Sequence, residues 1–230
     1  MPANRISGAR LLAVPIIFLG MAVTPLLGQG GDRGTFSIKR NGREIGHEEF
    51  EIRPGKAGRP VGDSLLSAAR YPESRPQTIL EAVLETTPGG DPLTLTLDVS
   101  RRQQSIQLLA TVGRGRVTIR TVGQGAESAR ELPGGSPIVM LDDSLYALYL
   151  PLARYATEKG QNVVAVYPRA SRRIQIIATR TALTATGDTG ATTVIDLTGG
   201  VTGSLFLDAK GRLLEVDFPA AGVEVTRLAD

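Results

Sequence analysis

Leu93-Thr94-Leu95-Thr96-Leu97-Asp98-Val99 alternates apolar and polar side chains without interruption. An extended chain sends successive side chains to opposite faces. Leu93, Leu95, Leu97 and Val99 are therefore expected on one side, and Thr94, Thr96 and Asp98 on the other. One dry face and one wet face is the pattern of an antiparallel sheet. The same alternation recurs along the chain. Val117 and Ile119 alternate with Arg116, Thr118 and Arg120, and Leu214, Val216 and Phe218 with Glu215 and Asp217. Val223 and Val225 alternate with Glu224 and Thr226.

Turn chemistry separates these segments. Asn41-Gly42 lies between Phe36-Ser37-Ile38 and Ile45, a two-residue hairpin signal that favours a type I′ turn. Pro88 to Pro92, Gly113-Arg114-Gly115, Gly187 to Gly190 and Ala209 to Arg212 punctuate the later strands. The reading predicts about eleven strands, at 35–40, 43–53, 62–71, 77–87, 93–100, 105–112, 116–122, 162–167, 173–185, 191–197 and 203–208, and a closing pair at 212–218 and 222–228. That spacing suits a sandwich or barrel. Within the first hairpin, Phe50 and Ile52 share a parity that Ile45 does not, so a one-residue bulge at Gly46 is expected.

Helical periodicity appears once, at about 142–156. Asp142 and Asp143 are suited to cap a helix N-terminus, and Leu145, Leu148 and Leu152 with Tyr149 form an apolar stripe. Pro151 forbids one continuous helix, so a break or two short helices are expected. Leu145, Tyr146, Leu148, Tyr149, Leu150 and Leu152 make the segment apolar on more than one face, and Val163 to Val166 is apolar on both sides of its strand. Two outcomes follow. The segment either plugs a curved sheet and completes the core, or leaves a hydrophobic cavity against it.

The first thirty residues read differently. Arg5 and Arg10 precede an apolar run from Leu11 to Leu27, which ends in Gly28-Gln29-Gly30-Gly31. This is the layout of a secretory signal peptide, with cleavage expected after Gly30. The run is short for a membrane span, and Pro15 and Pro25 interrupt it. The expected organisation is a signal peptide at 1–30 and a single β domain at 31–230, placing the mature chain in the periplasm or outside the cell.

Without Arg5 and Arg10, 24 basic side chains face 23 acidic ones, so charge gives no argument for nucleic acid. No cysteine is present, which excludes disulfides, thiolate nucleophiles and lipobox lipidation. His47 is the single histidine, so a two-histidine metal site cannot be built. Its neighbours Glu48 and Glu49 read as a solvated pair. No Gly-x-Ser-x-Gly elbow nominates a serine. Gly113-Arg114-Gly115 and Gly123-Gln124-Gly125 lack the strand-to-helix setting of a phosphate loop and read as hairpin turns. Arg172-Arg173, with Arg169 and Arg180, reads as a wet loop. No catalytic residue, metal or cofactor is expected.

Three motifs carry a resemblance: Gly42-Arg-Glu-Ile-Gly46-His-Glu48-Glu-Phe50, Asp142-Asp-Ser-Leu145, and Asp208-Ala-Lys-Gly211-Arg-Leu-Leu-Glu-Val216-Asp-Phe-Pro219, continued by Gly222 to Arg227. In these the chain resembles a group of exported bacterial proteins whose architecture is similar to the periplasmic lipoprotein carriers. The resemblance implies a strongly curved antiparallel sheet, an open or half barrel, lidded by a short helical segment. By fold analogy it also implies a lipid or other apolar ligand, with Leu145, Leu148, Tyr149 and Leu152 at the mouth. A second reading is a non-catalytic envelope domain that pairs with a protein partner through an open sheet edge.

Overall fold

The computed structural model describes residues 31–229, except 57, 59, 73, 74, 76, 103, 124 and 185–189. The expected signal peptide at 1–30 lies outside the described residues. A first meander runs through β1 (Arg33–Arg40), β2 (Arg43–Arg53), β3 (Ser64–Tyr71), β4 (Thr78–Thr86), β5 (Pro92–Arg101), β6 (Gln104–Gly113), β7 (Arg116–Gly123) and β8 (Ala126–Pro133). A short β9 (Ile138–Met140) leads into the helical insertion. A second meander follows: β10 (Gln161–Tyr167), β11 (Arg172–Ala182), β12 (Thr193–Gly199), β13 (Gly203–Leu207), β14 (Leu213–Phe218) and β15 (Val223–Arg227).

All fifteen strands join one sheet, in the order β8 to β1 and then β15 back to β9. Sequence neighbours pair except β8 and β9, which form the two edges, and the meanders meet where β1 pairs with β15. Every pairing is antiparallel except β9 on β10. The sheet does not close. Its curvature nevertheless brings β5 near β9 and β8 near β11 without joining their ladders.

Backbone irregularities follow the turn and parity signals. Asn41 (φ 52°) and Gly42 (φ 74°) both take the left-handed conformation that a type I′ turn requires. In β2, Ile38 faces Gly46 while Lys39 faces Glu44, so Ile45 is the extra residue of the expected bulge. A Cβ on Gly46 would lie 2.4 Å from the Arg70 carbonyl oxygen and 2.5 Å from the Tyr71 ring. Glycine is what lets β3 approach here. Two strict alternations are broken by further bulges. Leu93 is the extra residue opposite Glu85-Thr86, so Pro92 is buried in its place. Leu214 is likewise extra, and Leu213 takes the inward position.

Two strands were not foreseen. β8 is exposed along almost its whole length, so it carries no dry face to reveal it. β9 is three buried residues, too short for any period. The strand expected at 173–185 ends at Ala182, and the turn at 187–189 lies outside the described residues. Ile177 of β11 points outward and is 41% exposed.

The insertion is a 3-10 turn at Ala147–Tyr149 followed by α1 (Leu152–Tyr155), with Pro151 as the N-cap of α1. Pro151 therefore sits where its missing amide hydrogen is no loss. Leu145, Leu148, Tyr149 and Leu152 are each at most 2% exposed and belong to the continuous core. Phe218 packs 5.2 Å from the Tyr149 ring, and the Tyr149 and Tyr167 hydroxyls lie 3.1 Å apart.

Candidate functional site

The insertion is held by a buried carboxylate. Glu48 shares the inward parity of Phe50 and Ile52 and is fully buried, whereas Glu49 is exposed and paired with Arg70 at 3.3 Å. The expected solvated pair is thus corrected for Glu48. Its Oε2 accepts the Tyr146 amide at 2.6 Å, and its Oε1 accepts the Ala147 amide at 3.0 Å and the Ser67 hydroxyl at 2.6 Å. Burial pushes the Glu48 carboxyl up to about 7, partly offset by these three hydrogen bonds, while Asp142 adds to the rise.

This arrangement also corrects the capping role expected of Asp142 and Asp143. The amides at the start of the 3-10 turn are satisfied from β2, not by a preceding side chain. Asp142 instead accepts the Ser144 amide at 2.8 Å and a two-pronged bond from Arg169, at 2.7 Å to each oxygen. Asp143 pairs with Arg172 at 2.6 Å. The basic segment expected as a wet loop is corrected too: Arg172 and Arg173 open β11 and Arg180 lies within it, and the acidic pair partly neutralises Arg169 and Arg172. Tyr71 adds a third tie by donating its hydroxyl to the Ser144 carbonyl at 2.7 Å.

Beside this anchorage the inner face of the first meander stays open. A cleft of about 930 Å³ lies between β2 to β6 and the start of the insertion. Its apolar floor is Ile45, Leu80, Val99, Ile106 and Leu108, with Tyr71 and Tyr146 as walls. Ile106 is 38% exposed, although it shares the inward parity of the buried Leu108 and Ala110. Burial raises the Tyr146 hydroxyl to about 12, and nearby Arg40 pulls it the other way.

The rim is basic. Arg40 and Arg43 flank the turn between β1 and β2, and Arg101 and Arg102 begin the turn between β5 and β6. Alternate turns of a meander fall at one end of the sheet, so residues about sixty positions apart meet there. Arg169 completes the lining, already engaged by Asp142. Glu44 is the one carboxylate of the lining; it accepts the Ser37 hydroxyl at 2.8 Å and lies 3.8 Å from His47 Nε2.

The four residues expected at a ligand mouth do not line this cleft; they are buried side chains of the insertion itself, in the core. Tyr146 and Ser144, from the same segment, stand at the cleft instead. Sequence reasoning missed Glu48 although its parity with Phe50 was available. The rim has no local signal, because it arises only when the topology brings the β1–β2 and β5–β6 turns to one end of the sheet. Among the described residues no three His, Asp or Glu side chains gather as a metal site, and no helix is long and apolar enough to cross a membrane. Gly113 to Gly115 forms the β6–β7 hairpin turn. Comparison with protein-family models, curated proteins and solved structures finds no match. The geometry defines the chain as an open, plugged β half-barrel with a lateral cleft.

Proposed function

We propose that the mature chain acts outside the cytoplasm as a carrier or binding protein for an apolar molecule, such as the acyl chain of a lipid. The observation that carries this reading is the cleft floor: Ile45, Val99 and Ile106 are part exposed to a space of about 930 Å³, on a base of the buried Leu80 and Leu108. Ligand sites of roughly 300–1,000 Å³ with mostly apolar walls are the usual setting for such molecules. The ligand position is at Ile106 and Tyr146 rather than at Leu145, Leu148, Tyr149 and Leu152, which belong to the core. Pairing with a partner through the β8 edge is less favoured. Glu127, Arg130 and Glu131 lie along that strand, and charges are how edges resist pairing.

The test is fluorescence of N-phenyl-1-naphthylamine, a neutral apolar probe, titrated with the mature chain. Emission is expected to rise on binding, and Ile106→Asp is expected to weaken affinity roughly tenfold or more. Because Ile106 is part exposed, the variant should keep its thermal midpoint. No rise in emission with the unaltered chain would overturn the reading.

A further inference from the structure

We propose that the ligand of this cleft is an anionic amphiphile: an apolar chain on the floor, with a carboxylate or phosphate head held by the arginines at the rim. The inference rests on the reading of the cleft given above and adds the charge of the head. Its basis is the distribution of arginine partners. On the first meander, Arg53, Arg70, Arg116 and Arg120 each pair with a carboxylate on their own or a neighbouring strand. Arg40, Arg43, Arg101 and Arg102, gathered at one mouth, form no ion pair among the described residues. Arg33, Arg114 and Arg130 form none there either, but they lie outside the cleft lining, so what sets the rim apart is the gathering of four such groups at one place.

Four guanidinium groups gathered at one end repel one another, and no ion pair among the described residues holds them there. Against them the lining offers Glu44, already bonded to Ser37. The mouth thus carries excess positive charge over an apolar interior. Guanidinium groups match carboxylate and phosphate oxygens with paired, directional hydrogen bonds, whereas a neutral head gains less from them and a cationic head is repelled. Charge at the rim and aliphatic surface below complement the two parts of one molecule.

Rim arginines are exposed, so each contributes little alone and salt screens it. The proposal is therefore about the group of four. Calorimetric titrations would compare dodecanoate, dodecyl phosphate, triethylene glycol monododecyl ether and inorganic phosphate, below micelle-forming concentrations. The proteins are the unaltered mature chain and a variant with Arg40, Arg43, Arg101 and Arg102 all changed to Gln. The two anionic dodecyl compounds are expected to bind the unaltered chain roughly tenfold more tightly than the neutral ether, the preference shrinking as salt rises. The variant is expected to bind all three dodecyl compounds alike, at the level of the ether.

The stronger of dodecanoate and dodecyl phosphate separates a fatty acid from a phospholipid source. Equal affinity for charged and neutral heads would overturn the inference while leaving the apolar cleft standing, as would a preference that survives in the variant. Inorganic phosphate binding as tightly as dodecyl phosphate would also overturn it, in favour of a bare anion site. Failure of all three dodecyl compounds to bind would overturn the cleft reading itself.

Discussion

The two meanders are made of the same alternating strands, yet one is packed through and the other holds an open space. In β10 of the second meander, Val163 to Tyr167 are buried without a break. In β6 of the first, burial is confined to Leu108 and Ala110, and Ile106 stays part exposed. The insertion makes the difference. Helix α1 packs on β10 and β11, while the 3-10 turn before it reaches across to β3 and stops. Whether inward-facing aliphatic residues become core or cleft is set by the reach of that segment rather than by the strands themselves.

The sharpest way to break this comparison is to shorten a side chain on each side of the boundary. Leu148 of the insertion is fully buried in the core, so Leu148→Ala should cost about 2–5 kcal/mol, through lost burial and a residual cavity. Ile106→Ala removes a group that already meets solvent, and it should cost less than about 1 kcal/mol. Urea unfolding of both variants measures the difference. Comparable losses would mean that the cleft is core and that the two regions are not distinct.

Glu48 is the next lever, because it ties the insertion to the first meander. Glu48→Ala strands the Tyr146 and Ala147 amides in the interior, at roughly 1–3 kcal/mol for each unsatisfied donor. The carboxyl also makes stability depend on pH. Its folded value of about 7 lies above the unfolded 4.5, so the folded chain binds the proton more tightly. Its contribution is complete below about pH 4.5 and is lost as pH rises to about 7. The loss is on the order of 3 kcal/mol. Glu48→Gln cannot titrate, so its stability should lack this fall. Chemical denaturation between pH 4 and 8 compares the two, and an identical slope in the variant would assign the pH dependence to other groups.

A smaller effect is expected at the hinge between wall and floor. In Gly46→Ala the new methyl group meets the Arg70 carbonyl and the Tyr71 ring, an overpacking of about 1–3 kcal/mol. The Tyr71 ring is displaced from the cleft wall, and its bond to Ser144 weakens. Thermal unfolding reads the cost. Binding of N-phenyl-1-naphthylamine should also weaken, whereas an unshifted affinity would show that Tyr71 does not shape the site.

Most of the sheet was legible because period-two alternation reports one dry face directly. Leu95 and Leu97, Val117 and Ile119, and Val223 and Val225 all face inward as the pattern required. The reading failed where burial is not one-sided. β8 is wet on both faces and β9 dry on both, so neither alternates. It also failed where one extra residue inverted the parity, at Leu93 and Leu214. The site was less legible for a different reason. Glu48 was assigned by its charge although its parity pointed inward, and the arginine rim exists only once the turns are placed at a common end. Residue type misled at the first, and long-range topology was needed for the second.

The smallest effect lies on the outer face, where the meanders again differ. In the second, Asp196 of β12 sits opposite Ser204 of β13, which donates a hydrogen bond to it at 2.8 Å. In the first, Glu81 of β4 sits directly opposite Asp98 of β5, two like charges in register. Directly opposed like charges destabilise a sheet, and favourable cross-strand pairs contribute roughly 0.2–1 kcal/mol. Asp98→Ser would give β4 and β5 the pairing that β12 and β13 already have. Stability should rise by about 0.2–1 kcal/mol at low salt, and the gain should shrink as salt screens the repulsion in the unaltered chain. Since Asp98 points away from the arginine rim, affinity for dodecyl phosphate should stay unchanged. A gain in stability accompanied by altered binding would mean that the outer face and the cleft communicate through the thin, unplugged wall of the first meander, which the plugged half has no room to do.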